Sequence, residues 1–225
     1  MANKTTNSMP QKGDIIAVDL TGNGEEKFRV LAIEGTTAKL LAMEDAATIS
    51  FGDDNTYAGS RLDKFLNEEW FGRLTDAAKA AIVPQEIAQS RCTWHDEPDA
   101  IEEDNPTYTY QHQYNWNDDD YDNWNVEEVV PVGERNVFAL DIKDIYDYVG
   151  KRWITSAELN TLFFGTDKAT WSWVWLRSAF ADDASYAVSV YGSFGGVGYN
   201  GVTYSSGARP ALNIDISKVE WRTVA

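Results

Sequence analysis

Residues 173–216 read WVWLRSAFADDASYAVSVYGSFGGVGYNGVTYSSGARPALNIDI, and the fold turns on them. Short runs of β-branched and aromatic residues are punctuated by Gly, Asp, Asn and Ser. They predict four strands, at Trp173–Arg177, Ala187–Tyr191, Val197–Tyr204 and Ala211–Ile216. Strand alternation would place Val188 and Val190 on one face, and Ser189 and Tyr191 on the other. One part of this stretch is skewed. The 31 residues from Ser178 to Ala208 contain no Lys, Glu, Gln, Met or Trp, although those types make up roughly a fifth of the chain. A codon with a fixed final C, varied freely at its first two bases, encodes every residue type except those. What remains is Tyr, Ser, Gly, Phe, Asp, Asn and Thr spaced by Ala and Val. That is the palette of an antibody paratope, in which Tyr supplies rigid contact area while Ser, Gly and Asn adapt.

Toward the N-terminus, three strands are predicted at Ile15–Leu20, Phe28–Ile33 and Ala38–Met43. They are separated by the turns Thr21-Gly22-Asn23-Gly24 and Gly35-Thr36-Thr37. Ser60 opens a helix with Asp63 three residues on, and Leu62, Phe65, Leu66 and Trp70 share its apolar face. Thr75 opens a second, Ala-rich helix that ends before Pro84. Asn136–Leu140 reads as a strand, Asp141 caps a helix carrying Ile142, Ile145, Tyr146 and Val149, and Ser156 caps another with Leu159, Leu162 and Phe163 inward. Strands first and last with helices between predict an α+β fold, with mixed or antiparallel strands, short helices and long loops. No linker divides the chain. Residues 1–12 read as a flexible lead, and 13–225 as one domain.

At 225 residues the chain can bury a sizeable core, and its nine Trp, eleven Tyr and nine Phe must be packed or used for contact. The formal net charge of −17 repels phosphate backbones, so nucleic acid is not an expected partner. Cys92 is the single cysteine, so the fold has no internal disulfide. The opening MANKTTNSMPQKGD is polar, so no secretory signal is predicted. No apolar run reaches the length of a membrane span, so no direct membrane insertion is expected.

Several segments together resemble a known family. In order they are Ile49-Ser50-Phe51-Gly52, Tyr57-Ala58-Gly59-Ser60-Arg61-Leu62-Asp63, Ala78-Lys79-Ala80-Ala81-Ile82, Val137-Phe138-Ala139-Leu140, Trp175-Leu176-Arg177-Ser178 and Ala208-Arg209-Pro210-Ala211-Leu212. They are similar to a bacterial and phage family of uncharacterised domains with a C-type-lectin-like fold. The bracket from Trp-Leu-Arg-Ser to Arg-Pro-Ala-Leu resembles the C-terminal cassette of variable proteins from diversity-generating retroelements. In those systems a reverse transcriptase mutates template adenines, and the copy replaces the variable end of the target gene. The resemblance covers roughly residues 13–216, with 175–212 as the cassette. It departs from a commoner closing motif only in having Ala208 where Val is frequent.

The resemblance implies a fixed scaffold of Ala184, Ala187, Val188, Val190, Val197, Val202 and Gly207. It implies diversified, ligand-binding positions at Phe180, Asp182, Asp183, Ser185, Tyr186, Ser189, Tyr191, Ser193, Phe194, Gly196, Gly198, Tyr199, Asn200, Gly201, Thr203, Tyr204 and Ser206. The expected function is non-enzymatic recognition of a surface ligand, protein or glycan, as a phage tropism or bacterial surface-display determinant. Of the aromatics, Tyr186, Tyr191, Tyr199, Tyr204, Phe180 and Phe194 are the expected anchors, since they contact broadly with few rotors to freeze.

Other chemistry is weaker. Residues 94–125 interleave Trp and Tyr with Asp and Asn, without a regular period. Within them, Asn117-Asp118-Asp119-Asp120-Tyr121-Asp122 fails as a calcium loop of the EF-hand type: read from Asp118, Asn123 stands at the glycine position and Val129 at the closing glutamate. Trp116-Asn117-Asp118 matches a triplet of sugar-binding C-type lectins but lies about a hundred residues too early. It supports an alternative, a cation-assisted carbohydrate-binding lectin using the 108–124 loop. His95, His112 and Cys92 have no metal-ligand spacing. No phosphate loop or nucleophile elbow is present. The formylglycine-generating oxidase, similar in architecture, relies on a cysteine pair that one cysteine cannot supply. No metal, no cofactor and no enzymatic activity are expected.

Overall fold

The computed structural model describes residues 9–94, 124–150, 155–166, 172–192 and 196–224. The first sheet is antiparallel throughout. Its strands are β1 (Ile15–Val18), β2 (Glu26–Glu34), β3 (Thr37–Ala42), β7 (Val137–Phe138), β12 (Ala211–Asp215) and β13 (Trp221–Val224), ordered β13-β1-β2-β3-β12-β7. The first and last strands therefore meet in one sheet, with Ile15 opposite Val224.

The second sheet contains β4 (Ala47–Ser50), β8 (Trp173–Phe180), β9 (Tyr186–Tyr191), β10 (Gly196–Gly201) and β11 (Ser205–Ala208), in the order β10-β9-β8-β11-β4. A long hairpin of β5 (Gln85–Trp94) and β6 (Trp124–Arg135) joins it. β8 is the hinge of this arrangement: Val174 near its start runs parallel to Gly207 of β11, whereas Ala179 and Phe180 at its end run parallel to Arg91 and Cys92 of β5. The molecule is thus a mixed α+β domain of mostly antiparallel sheet with few short helices, as the order of predicted elements implied.

The helices begin where local chemistry satisfies their free N–H groups. α1 (Arg61–Lys64) is capped by Ser60, whose Oγ accepts from the Asp63 amide at 3.1 Å, and it runs on into a π-helical turn over Phe65–Trp70. α2 (Asp76–Ala81) is capped by Thr75. In α3 (Ile142–Val149), Asp141 and Asp144 form a reciprocal capping box, and Gly150 closes the helix at φ +80°, a left-handed conformation that favours glycine. α4 (Ser156–Phe164) departs by one residue from expectation. Thr155, not Ser156, is the cap, because Glu158 stands three residues after Thr155 and returns a bond to its amide.

Phe28, Leu40, Leu41, Phe51, Tyr57, Leu62, Phe138, Phe163 and Trp175 fill the continuous core, all essentially inaccessible. Among the described residues no helix is long and apolar enough to cross a membrane. The lead residues 1–8 and most of the aromatic, acidic run at 94–125 lie outside the described residues.

Candidate functional site

The two motifs that bracket the skewed stretch turn out to be its moorings. Arg177 is buried. Its Nε donates to the Ala88 carbonyl at 2.7 Å, and its Nη1 donates to the Ala139 carbonyl at 2.7 Å and to Asp144 Oδ2 at 2.6 Å. Ser178 Oγ donates to Asp141 Oδ2 at 2.9 Å, and the Asp141 carboxylate also accepts from the amide and hydroxyl of Ser90. Trp175 Nε1 donates to the Ile49 carbonyl, and the Trp175 ring meets Phe51 edge-on at 5.6 Å. The far bracket works alike. Arg209 holds Asp45 Oδ1 through Nε and Nη2 at 3.0 and 2.7 Å, and its Nη1 donates to the Phe163 carbonyl at the end of α4. Gly207 is required by that pair, since a Cβ there would lie 2.3 Å from Asp45 Oδ2. Buried charges are stable only when paired and hydrogen-bonded, and both arginines are.

Between the moorings, β8, β9 and β10 carry the candidate contact residues. Opposed pairs Gly201–Tyr186, Tyr199–Val188 and Val197–Val190 place Tyr186 and Tyr199 on the same face as the valines. Phe180 joins them, its ring nearly parallel to that of Tyr199 (4.7 Å, 12°), while Tyr186 stands edge-on to Tyr199 at 5.2 Å. Trp124 underlies the group, edge-on to Phe180 at 6.1 Å and to Tyr199 at 6.3 Å, with Nε1 donating to the Val197 carbonyl. Trp124 is buried, Phe180 and Tyr186 are half-buried, and Tyr199 is 38% exposed. These are favoured ring geometries, so the patch is rigid where it meets solvent.

Among the described residues Tyr204 is the most exposed aromatic, at 66%, and its ring lies 3.2 Å from where a Cβ of Gly201 would point. Because Gly201 opposes Tyr186, that ring sits on the cluster's face. Asp182, Asp183, Ser185 and Thr203 are exposed, and Asn200 and Gly201 are half-buried. The Ser185 hydroxyl and amide both donate to Asp183 Oδ1, which holds that carboxyl below its ordinary range.

The other face corrects the simple alternation. Ser189 is fully buried, not outward, and its Oγ has no hydrogen-bond partner. It lies between Trp175 on β8 and Gly198 on β10, and Gly198 is buried too. The covering group is Tyr191. Its ring lies across Gly198, its hydroxyl donates to the Tyr199 carbonyl, and it packs at 4.3 Å on Trp173. Tyr191 and the half-buried Gly196 therefore belong to the opposite side of the sheet from Tyr186 and Tyr199. Ser206 is also buried, accepting at 3.4 Å from Asn200 Nδ2. Of the expected scaffold residues, Ala187, Val188, Val190, Val197, Val202 and Gly207 are buried, whereas Ala184 is exposed. Ser193 and Phe194 lie outside the described residues, as do His95, His112 and the acidic run 117–122.

Sequence reasoning missed Trp173 and assigned Trp124 to the 108–124 loop of the lectin alternative; both lie outside the skewed segment yet support its rings from below and beside. It also missed Asn55, a buried amide whose position beside the end of β8 leaves no mark in local pattern. A cleft of about 490 Å³ opens between β2, β3, β12 and α3, lined by Lys12, Lys39, Asp144, Asp147, Tyr148 and Asn213 among others, and includes no residue of 175–212. Among the described residues no three His, Cys, Asp or Glu side chains gather as metal ligands. Cys92 is buried, which pushes its thiol well above the ordinary range and leaves it a core residue in this site.

A mixed α+β domain with a moored, aromatic-rich face is the class these features define. Residues 37–216 match the model of a domain of unknown function, DUF6273, and the chain belongs to that family. No curated protein and no solved structure matches the chain.

Proposed function

We propose that this chain is a non-enzymatic ligand-recognition protein with a C-type-lectin-like fold, whose segment 175–212 displays a surface diversified by a retroelement. By the same resemblance it would act as a tropism determinant of a phage or as a bacterial surface-display protein. One observation carries the reading. Phe180, Tyr186 and Tyr199 form a single solvent-facing ring cluster inside the stretch that lacks Lys, Glu, Gln, Met and Trp, while Arg177, Ser178 and Arg209 secure both ends of that stretch. Interface hot spots concentrate in such packed aromatics, and the exposed Asp182 and Asp183 beside them favour a partner with a basic patch.

Sequencing the locus across a clonal population tests it. Substitutions should stop at the Trp175–Ser178 and Arg209–Leu212 sides and keep the third codon base. An invariant locus, or changes spread evenly along the gene, would refute diversification. A glycan array with and without chelator tests the recognition chemistry. Sugar binding that is lost on chelation yet survives Tyr191→Ala and Tyr199→Ala would replace this reading with the lectin alternative.

A further inference from the structure

A face whose side chains are free to change cannot rely on those side chains to hold its backbone. Around Phe180–Tyr186 the structure meets this requirement from outside. Asn55 is 1% exposed, and its Nδ2 lies 2.8 Å from the Phe180 carbonyl, 3.1 Å from that of Asp183 and 2.8 Å from that of Tyr186. One amide group, with two N–H donors, thus lies within hydrogen-bond reach of three carbonyls from three candidate contact positions, and takes nothing from their side chains. Gln89, also buried, locks Asn55 in place. Its Nε2 donates to the Asn55 carbonyl at 2.6 Å and to the Arg177 carbonyl at 2.7 Å, while its Oε1 accepts from the Tyr57 amide. Two further supports also come from outside the rim's side chains: the Ala181 amide donates to the Cys92 carbonyl, and Arg91 donates to the Ala181 carbonyl. Within the rim, the Tyr186 amide donates to the Asp183 carbonyl and the Asp183 carboxylate accepts from Ser185, the one bond set that depends on a rim side chain.

We propose that Asn55 is a positioning residue of the binding face, fixing its Phe180–Tyr186 rim through main-chain carbonyls alone, so that the rim keeps one geometry whatever side chains it presents. This rests on the recognition reading above. Buried carbonyls deprived of their donor are costly, so the rim should open when Asn55 is lost.

Hydrogen exchange of the Ala181, Tyr186 and Val202 amides reads the rim directly, with the amides of β1–β3 as internal reference. Asn55→Ala should lower protection at those three amides at least tenfold and leave the reference unchanged. Replacing Phe180, Asp182, Asp183 and Ser185 together by Ala, with Asn55 intact, should leave them within about twofold. The proposal is overturned if the four-alanine loop loses protection as Asn55→Ala does, or if Asn55→Ala loses none. Should Asn55→Ala not fold, Asn55→Asp is read instead. Its carboxylate repels the three carbonyls at neutral pH, and protonation on acidification restores an O–H donor, so protection factors at Ala181 and Tyr186 should recover as pH falls. Absence of that recovery overturns the proposal equally. No partner enters the measurement, so its failure leaves the recognition reading standing, and failure of the population sequencing leaves the exchange result standing.

Discussion

Gly198→Ala should destabilise the protein although the backbone there is compatible with alanine. Gly198 has no positive φ, so space alone decides. An added Cβ would lie 2.1 Å from Tyr191 Cε2, 2.8 Å from Cζ and 2.9 Å from the hydroxyl oxygen. The ring must leave. Its departure forfeits the hydrogen bond to the Tyr199 carbonyl, worth about 1 kcal/mol, and the 4.3 Å packing on Trp173, worth about 1 kcal/mol more. Alanine in a strand returns roughly 0.5–1 kcal/mol of backbone entropy over glycine, leaving a net loss of about 1 kcal/mol. In a Tyr191→Ala background the obstacle is gone, and the same Gly198→Ala change should stabilise by that 0.5–1 kcal/mol. The sign reverses, with a coupling near 2 kcal/mol in a double-mutant cycle followed by urea unfolding. Thermal midpoints should move a few degrees in opposite directions in the two backgrounds. Equal effects in both would show that Tyr191 does not occupy the space above Gly198, and the account of this face would fall.

Ser189→Ala should stabilise by about 1 kcal/mol, since it removes a buried hydroxyl with no partner; a neutral or destabilising result in denaturant melts would mean the hydroxyl is served or exposed. Acid sensitivity should trace to Asp144. Burial alone would push its carboxyl up, but Arg177, Lys39 and the Asp141 amide together hold it at about 2. A folded value below the unfolded value near 3.9 stabilises fully above that pH, and the contribution, about 2 kcal/mol, is lost as pH falls from 4 to 2. Lys39→Met should therefore cost stability at neutral pH and progressively less toward pH 2, measured by unfolding at each pH; a penalty independent of pH would refute the assignment.

What was legible in the sequence was mostly local. Ser60, Thr75 and Asp141 announce their helices because a cap and its amide partner lie within three residues. The β1–β3 meander was readable from its turns. The β5–β6 hairpin was not. β6 carries Pro131, Gly133 and three glutamates, its faces are largely exposed, and its pairing is interrupted by irregularities after Ile87 and Arg91. Nothing in such a strand demands alternation. The predicted strand Val197–Tyr204 overruns its element: β10 ends at Gly201, and β11 begins only at Ser205. The turn at Val202–Tyr204, with the Tyr204 amide donating to the Gly201 carbonyl, carries the chain from the outer edge of β9 to a place between β8 and β4. Alternation misled at Ser189 for a related reason: a strand covered on both sides need not alternate in polarity.

The candidate site also separates two kinds of information that local pattern mixes. Arg177, Ser178, Arg209 and Gly207 act on carbonyls, carboxylates and close contacts, and they tolerate few substitutes because each bond is buried and geometrically defined. The residues between them are not equally free. Tyr204, Asp182 and Thr203 meet solvent, where exchange alters stability by under about 0.5 kcal/mol, whereas Tyr199, though partly exposed, is packed on Phe180, Tyr186 and Trp124. Ser189, Gly198 and Ser206 are enclosed, so larger side chains there must displace Tyr191 or strand neighbours. A surface varied at all of these positions would therefore sample its exposed members independently and its enclosed members in correlated sets, with residue 191 large only where residue 198 is glycine.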